Sequence, residues 1–173
     1  MEENLKIEDA KPEDVEAMRA LVKDAWLELY PNEAYGITYE DVAAIDWYND
    51  LERRRRDITD RKDTIHVWVL RDEQGEVRGF CKVTKEDGGG EIDGIYVAKD
   101  LQGEGWGKKL LQKGLEWLGN VDVKLKVVHY NTQAVEFYKR MGFKETGKKV
   151  VYEGTKLPSG KDIPRTEMVK QKT

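Results

Sequence analysis

The sequence is poor in the residues that make covalent and metal staples. Cys81 stands alone among 173 residues, so no internal disulfide can form. Only two histidines, His66 and His129, accompany it, too few ligands for a structural zinc site, so no metal is expected. Proline is scarce, at four residues. No internal repeat or low-complexity linker divides the chain, which predicts a single domain over residues 1–173. No apolar run approaches the roughly 18 residues that a membrane-crossing helix needs. The start, Met1 to Asn4, is acidic with no apolar stretch behind it, unlike a secretory signal. These absences predict a soluble, cytoplasmic protein with no membrane partner. An excess of one charge is missing too: 30 Lys+Arg face 34 Asp+Glu, for a net −4, which counts against a nucleic-acid partner.

What is present is enough apolar material for a core. Hydrophobic residues make up 39% of the chain, including five Trp and eight Tyr, so disorder is excluded. Leu5 to Ile7 reads as a first short strand. After Pro12, Val15, Met18, Leu21, Val22, Ala25, Trp26 and Leu29 recur at helical spacing. Thr38 with Asp41 three residues on forms a capping box, and a second helix is expected from there to about Arg56. The period then shifts to two. Ile65 to Leu70 and Val77 to Val83 read as strands around the turn Asp72 to Gly75. A further turn spans Glu86 to Gly90, followed by a strand from Glu91 to Val97. A helix over Lys108 to Leu118 carries Leu110, Leu111, Leu115 and Leu118 on one face. Val121 to Val127 alternates again. Thr132 to Met141 is a short helix stopped by Gly142. Phe143 to Tyr152 and Pro164 to Lys170 complete the strands. The order β, α, α, β, β, β, α, β, α, β, β fits a mixed sheet with helices on its faces.

The most informative stretch is Gln102-Gly103-Glu104-Gly105-Trp106-Gly107-Lys108-Lys109, which leaves a strand and opens a helix. Alternate glycines allow a tight turn and close approach of backbone N–H groups to a ligand. Free amides and the positive helix end make an anion site; a plain glycine-rich helix start is the competing reading. The spacing is neither that of the P-loop nor that of the dinucleotide fingerprint.

Two motifs together carry a resemblance. Gln102, Gly105 and Gly107 follow the strand end Ile95-Tyr96-Val97. Downstream stand Asn131, Ala134, Val135, Phe137, Tyr138, Gly142 and Phe143. In this order and spacing they resemble the GNAT superfamily of acyl-CoA-dependent N-acetyltransferases, over roughly residues 5 to 170. The resemblance implies an α/β (α+β) fold: a mixed, mostly antiparallel sheet of six to seven strands flanked by four helices. It implies acetyl-CoA as co-substrate. The backbone of Gln102, Gly103, Glu104, Gly105, Trp106, Gly107 and Lys108 would hold its pyrophosphate. Ile95, Tyr96 and Val97 would flank the pantetheine arm, the next strand splaying away to make room. Asn131 would bond the pantetheine, or simply cap the following helix. Tyr138 resembles the tyrosine that faces the leaving sulfur. A phenol with pKa about 10 and a thiol near 8.5 make hydrogen-bond donation easier than full proton transfer.

The base is open at this stage. Glu91 lies eleven residues before Gln102, the spacing of a strand glutamate in histone-acetylating members. Alternation puts Asp93 on the same face. Either carboxylate, or water acting with one, would take the amine's proton. His66 and His129 are further candidates for the base, though each reads rather as structural or exposed. Arg53 to Arg56 is read as a solvated helix end, because Asp50, Glu52, Asp57 and Asp60 surround it. Cys81 is expected buried and inert, and Trp26, Trp47 and Trp106 as packing residues, with Trp47 and Tyr48 also candidates for the acceptor pocket. The implied activity is acetyl transfer to a small-molecule or peptide amine, by a monomer or homodimer. The competing readings are a catalytically silent acyl-CoA-binding module and a protein that binds another phosphate ligand on the glycine loop.

Overall fold

A computed structural model of the chain describes residues 4–150 and 156–173. Its strands are β1 (Lys6–Asp9), β2 (Ile65–Arg71), β3 (Val77–Glu86), β4 (Gly89–Val97), β5 (Asp122–Val128), β6 (Lys144–Val150) and β7 (Arg165–Lys170). They form one seven-stranded sheet in the order β1-β2-β3-β4-β5-β7-β6. Every neighbouring pair is antiparallel except β4 and β5. The predicted mixed, mostly antiparallel sheet is therefore present. The expected strand end at Tyr152 lies outside the described residues.

The helices are α1 (Val15–Leu29), α2 (Tyr39–Ala43), α3 (Leu51–Thr59), α4 (Trp106–Leu118) and α5 (Thr132–Arg140). The described residues thus hold five α-helices where four were expected, because the predicted second helix is two. The start is as expected: Thr38 and Asp41 cap each other reciprocally at 2.8 and 3.0 Å. The helix then ends at Ala43, and the chain turns Trp47 into the core. Trp47 is 4% exposed, packs edge-on against Trp26 at 5.4 Å, and its carbonyl accepts from Arg19 Nε at 3.0 Å. Burying one large ring outweighs the helical preference of a short polar segment. Asp50 restarts the helix as its N-cap residue and takes Arg54 at 2.8 Å.

Two apolar layers sandwich the sheet. On one face α1 and α2 cover Val67, Val69 and Phe80; on the other α4 and α5 cover Cys81, Val83, Ile92 and Leu125. Close approach explains two glycines that were read as turn but sit inside β4. A Cβ on Gly89 would stand 2.8 Å from the Asp122 carbonyl oxygen, and one on Gly90 would stand 2.7 Å from Leu118 Cδ2.

The feature that positions the site is where β4 and β5 part. Their parallel register runs Gly89↔Asp122 to Ile92↔Leu125 and stops. β5 continues with β7 as far as Val128↔Arg165. From Asp93 to Val97, β4 has no partner strand on its β5 side among the described residues, and a fork opens.

Candidate active site

The glycine loop lies just past the C-terminal end of β4, at the mouth of this fork. Gly103 and Gly105 have φ of +87° and +90°, a region that side chains rarely enter. Gly105 is the N-cap of α4, and the first intrahelical bond runs from Lys109 N–H to Gly105 C=O at 3.1 Å. The amides of Trp106, Gly107 and Lys108 precede that bond and face outward at the positive helix end. Lys109 lies over the Trp106 ring at 4.1 Å, so one loop cation is held by packing. The loop is exposed and shaped to accept an anion.

The open edge of β4 continues the site inward. Ala98 N–H bonds the Arg78 carbonyl at 2.8 Å, on the β3 side. Alternation then turns the backbone groups of Ile95 and Val97 toward the fork. The Gln102 side chain sits on this edge, donating from Nε2 to the Val97 carbonyl at 3.0 Å. It braces the loop against the strand end. The Tyr96 side chain points the other way, stacked on Phe80 at 5.3 Å, with its hydroxyl accepting from Trp26 Nε1 at 3.0 Å.

Glu91 and Asp93 stand where the strands diverge. Opposite them β3 carries Lys82 and Thr84, and the β3–β4 register slips between Lys82↔Gly94 and Val83↔Ile92, which makes Asp93 the extra residue of a bulge. Thr84 Oγ1 donates to Asp93 Oδ2 at 2.7 Å. Asp93 is open to solvent yet walled by protein; this crowding raises its carboxyl pKa against the pull of Thr84 and Lys82. Glu91 is half-buried. Burial first, then a hydrogen bond with Glu86 and the charge of Asp93, push it up to about 7, with Lys126 opposing. Burial works against Glu86 as well, but Lys124 at 2.9 Å and the bond with Glu91 hold it below the usual carboxylate range. Of the two glutamates, Glu91 is the one that titrates near neutral pH, while Glu86 stays ionised there.

Tyr138 lies on α5, 8% exposed, with Phe137 and Phe143 edge-on at 5.2 and 5.7 Å. Burial, reinforced by Cys81 and Tyr96 nearby, pushes its hydroxyl above the ordinary phenol value. It keeps its proton and can donate a hydrogen bond. Asn131 caps α5, its Oδ1 accepting from Ala134 N–H at 3.3 Å, and it also bonds the Tyr30 hydroxyl. The cap is therefore real, and the same side chain ties α5 to the end of α1.

The remaining candidates separate clearly. His66 is paired with Asp9 at 2.7 Å and stacked on Trp68 at 4.1 Å; His129 meets Thr166 at 2.9 Å. Cys81 is fully buried, and burial raises its thiol pKa. Arg54 and Arg55 pair with Asp50 and Glu52, and Arg53 reaches Asp57 at 3.6 Å. Trp47 is core rather than pocket lining, while Tyr48 is 39% exposed beside Lys23. Among the described residues no three His, Cys, Asp or Glu side chains gather as a metal site, and no helix is long and apolar enough to cross a membrane. Sequence reasoning missed Lys82, Thr84 and Glu86. The available signal was their polar alternation along a strand whose other face is apolar.

Comparison with known proteins fits this geometry. The model of the Acetyltransferase (GNAT) family matches residues 15–143. The chain is 36% identical over 85 residues to a peptidyl-lysine N-acetyltransferase, YjaB, of Salmonella typhimurium, covering 49% of this chain and 54% of that one. It is 29% identical over 170 residues to a mycothiol acetyltransferase of Propionibacterium freudenreichii, covering 94% of this chain and 50% of that one. The chain thus spans about half the length of these curated relatives. The PaiA N-acetyltransferase of Thermoplasma acidophilum, solved in complex with coenzyme A, superposes with a TM-score of 0.74 at 19% identity, covering 97% of this chain and 99% of that one. The chain belongs to the GNAT acetyltransferase family.

Proposed function

We propose that this protein transfers an acetyl group from acetyl-CoA to a primary amine, directly, with both substrates bound together. The observation that carries the proposal is the fork: an anion-binding loop at its mouth, an unpaired β4 edge along its side, and two raised carboxyls where it closes. The thioester supplies an activated acyl carbon. The chain's residues do the rest. Amides from Gly103 to Lys108 hold the pyrophosphate. Ile95 and Val97 pair with the pantetheine amides as a neighbouring strand would, and one of their N–H groups polarises the thioester carbonyl.

An alkylammonium has a pKa near 10.4, so it must lose a proton before it attacks. Glu91, titrating near neutrality, takes that proton, with Asp93 holding the ammonium beside it. The nitrogen lone pair then forms the C–N bond as the C–S bond breaks, and the second amine proton passes to the departing thiolate, giving the amide and the free thiol. Tyr138 steadies the departing thiolate by hydrogen bonding, since its raised pKa makes full proton transfer unfavourable. The acceptor is a small cationic amine or a peptide lysine; YjaB-type peptidyl-lysine enzymes support the second, and the carboxyls at the fork suit either.

The test is thiol release from acetyl-CoA across polyamines, amino acids, aminoglycosides and lysine peptides, with product mass read in parallel. Release matched by an acetylated amine is expected for one class. Tight acetyl-CoA binding with no acetylated product from any class would contradict the proposal.

A further inference from the structure

Asp57 of α3 is a buried carboxylate that the reaction as described does not use. It is 4% exposed and meets Lys82 Nζ at 3.0 Å, with Arg53 at 3.6 Å and Arg61 at 3.9 Å on its outer side. Buried carboxylates are costly unless paired, so the pairing is obligatory. Its particular partner is the informative part. Arg53 and Arg61 are surface cations of α3 and its end, but Lys82 comes from the middle of the sheet. Its cross-strand neighbour is Gly94, next to Asp93. Lys82 and Thr84 share one face of β3, and Thr84 already bonds Asp93 at 2.7 Å. The pair lines a cavity of about 40 Å³ together with Val15, Met18, Val22, Phe80, Arg19 and Arg54. The pair is thus set against apolar surface, where charge acts over longer distances than in water.

We propose that the Asp57–Lys82 ion pair is an electrostatic counterweight to the β4 carboxyls: α3 sets Asp57 against Lys82, which sits across the strand from Gly94 and next to Asp93, and these two opposed charges govern when Asp93, and through it Glu91, gives up and takes a proton. The inference rests on the acetyl-transfer reading for its catalytic meaning. The titratable, charged and polar groups around Asp93 and Glu91 are Cys81, Lys82, Thr84 and Glu86 from β3, Asp57 from α3, and Lys126 from β5, with Lys124 acting through Glu86. Lys82 favours the ionised form of Asp93, whereas Asp57 opposes it. Removing one partner and removing the other therefore act in opposite directions.

This sign reversal provides the test. Carboxyl carbon NMR titration of the full-length protein, without substrates, follows Asp93 and Glu91 in each variant. Lys82→Met should raise the Asp93 midpoint by about half a pH unit or more. Asp57→Asn should lower it, and Lys82→Arg should leave it near wild type. A purely structural role would give no such reversal. Midpoints that stay put, or that move the same way in both variants, would overturn the inference. Should Asp57→Asn fail to fold, the contrast between Lys82→Met and Lys82→Arg decides alone: a midpoint raised in Met and restored in Arg supports it, and equal midpoints overturn it. The acid limb of kcat/KM for acetyl transfer is then measured in the folded variants and should track the titrations. Titrations that move while the limb does not would overturn the catalytic role of Asp93 and Glu91 and leave the electrostatic coupling standing.

Discussion

At the scale of single residues, Glu91 and Tyr138 are tuned in ways that make opposite demands. Glu91 is pushed up to about 7 against an ordinary 4.5. Between those values the folded state holds more protons than the unfolded chain, so the group's contribution to stability falls as pH rises through this window. Glu91→Gln should therefore be more stable than wild type above pH 7, by about 1 kcal/mol given the solvent screening of this half-exposed group, with the gain vanishing below about pH 4.5. Chemical denaturation at pH 4.5 and pH 8 checks this. Tyr138→Phe removes one hydrogen bond to a developing anion, and kcat should fall about tenfold to a hundredfold with little change in KM for acetyl-CoA. Both are candidates that the sequence itself offers, Tyr138 from its motif and Glu91 from its spacing. The tuning was not. It depends on Glu86, which faces Gly89 across a hairpin shorter than its run of glycines suggested.

At the scale of elements, the glycine loop and the α2–α3 segment show what local sequence does and does not determine. Gly103 and Gly105 require left-handed backbone, and their pattern marked a tight turn that opens a helix, while the anion-binding reading came from its pairing with the downstream motif. Gly105→Ala should cost about 1–2 kcal/mol of stability from backbone strain and weaken acetyl-CoA binding further, because the first-turn amides shift with it. Calorimetric titration with acetyl-CoA, alongside a melting curve, separates the two effects. The split of the second helix was not legible, because its cause is distant: Trp47 leaves the helical path to meet Trp26 and Arg19 on α1. α3 then has its own direction, which is what brings Asp57 over β3.

At the scale of the whole molecule, the proposed function rests on one feature of the sheet, the parting of β4 from β5. Alternating hydrophobicity revealed the strands and their order, and the resemblance implied the splayed strand. Where the β4–β5 pairing ends, after Ile92 and Leu125, is a fact of register that no local pattern contains. Binding that fills the fork should stabilise the entire fold. Acetyl-CoA at a hundredfold over its dissociation constant should add about 2.7 kcal/mol, a melting shift of several degrees at this chain length. ATP and NAD should add little; a shift with either in place of acetyl-CoA would sink the assignment.

The central claim is that carboxyls at the fork accept the amine's proton during acetyl transfer. Its most direct test is kcat/KM for thiol release with the best acceptor, measured against pH for wild type and Glu91→Gln. Wild type should rise through an acid limb near pH 7. The variant should lose that limb and run about a hundredfold or more slower at neutral pH, the deficit narrowing above about pH 9 as the amine deprotonates unaided. Identical profiles for the two proteins would contradict the account.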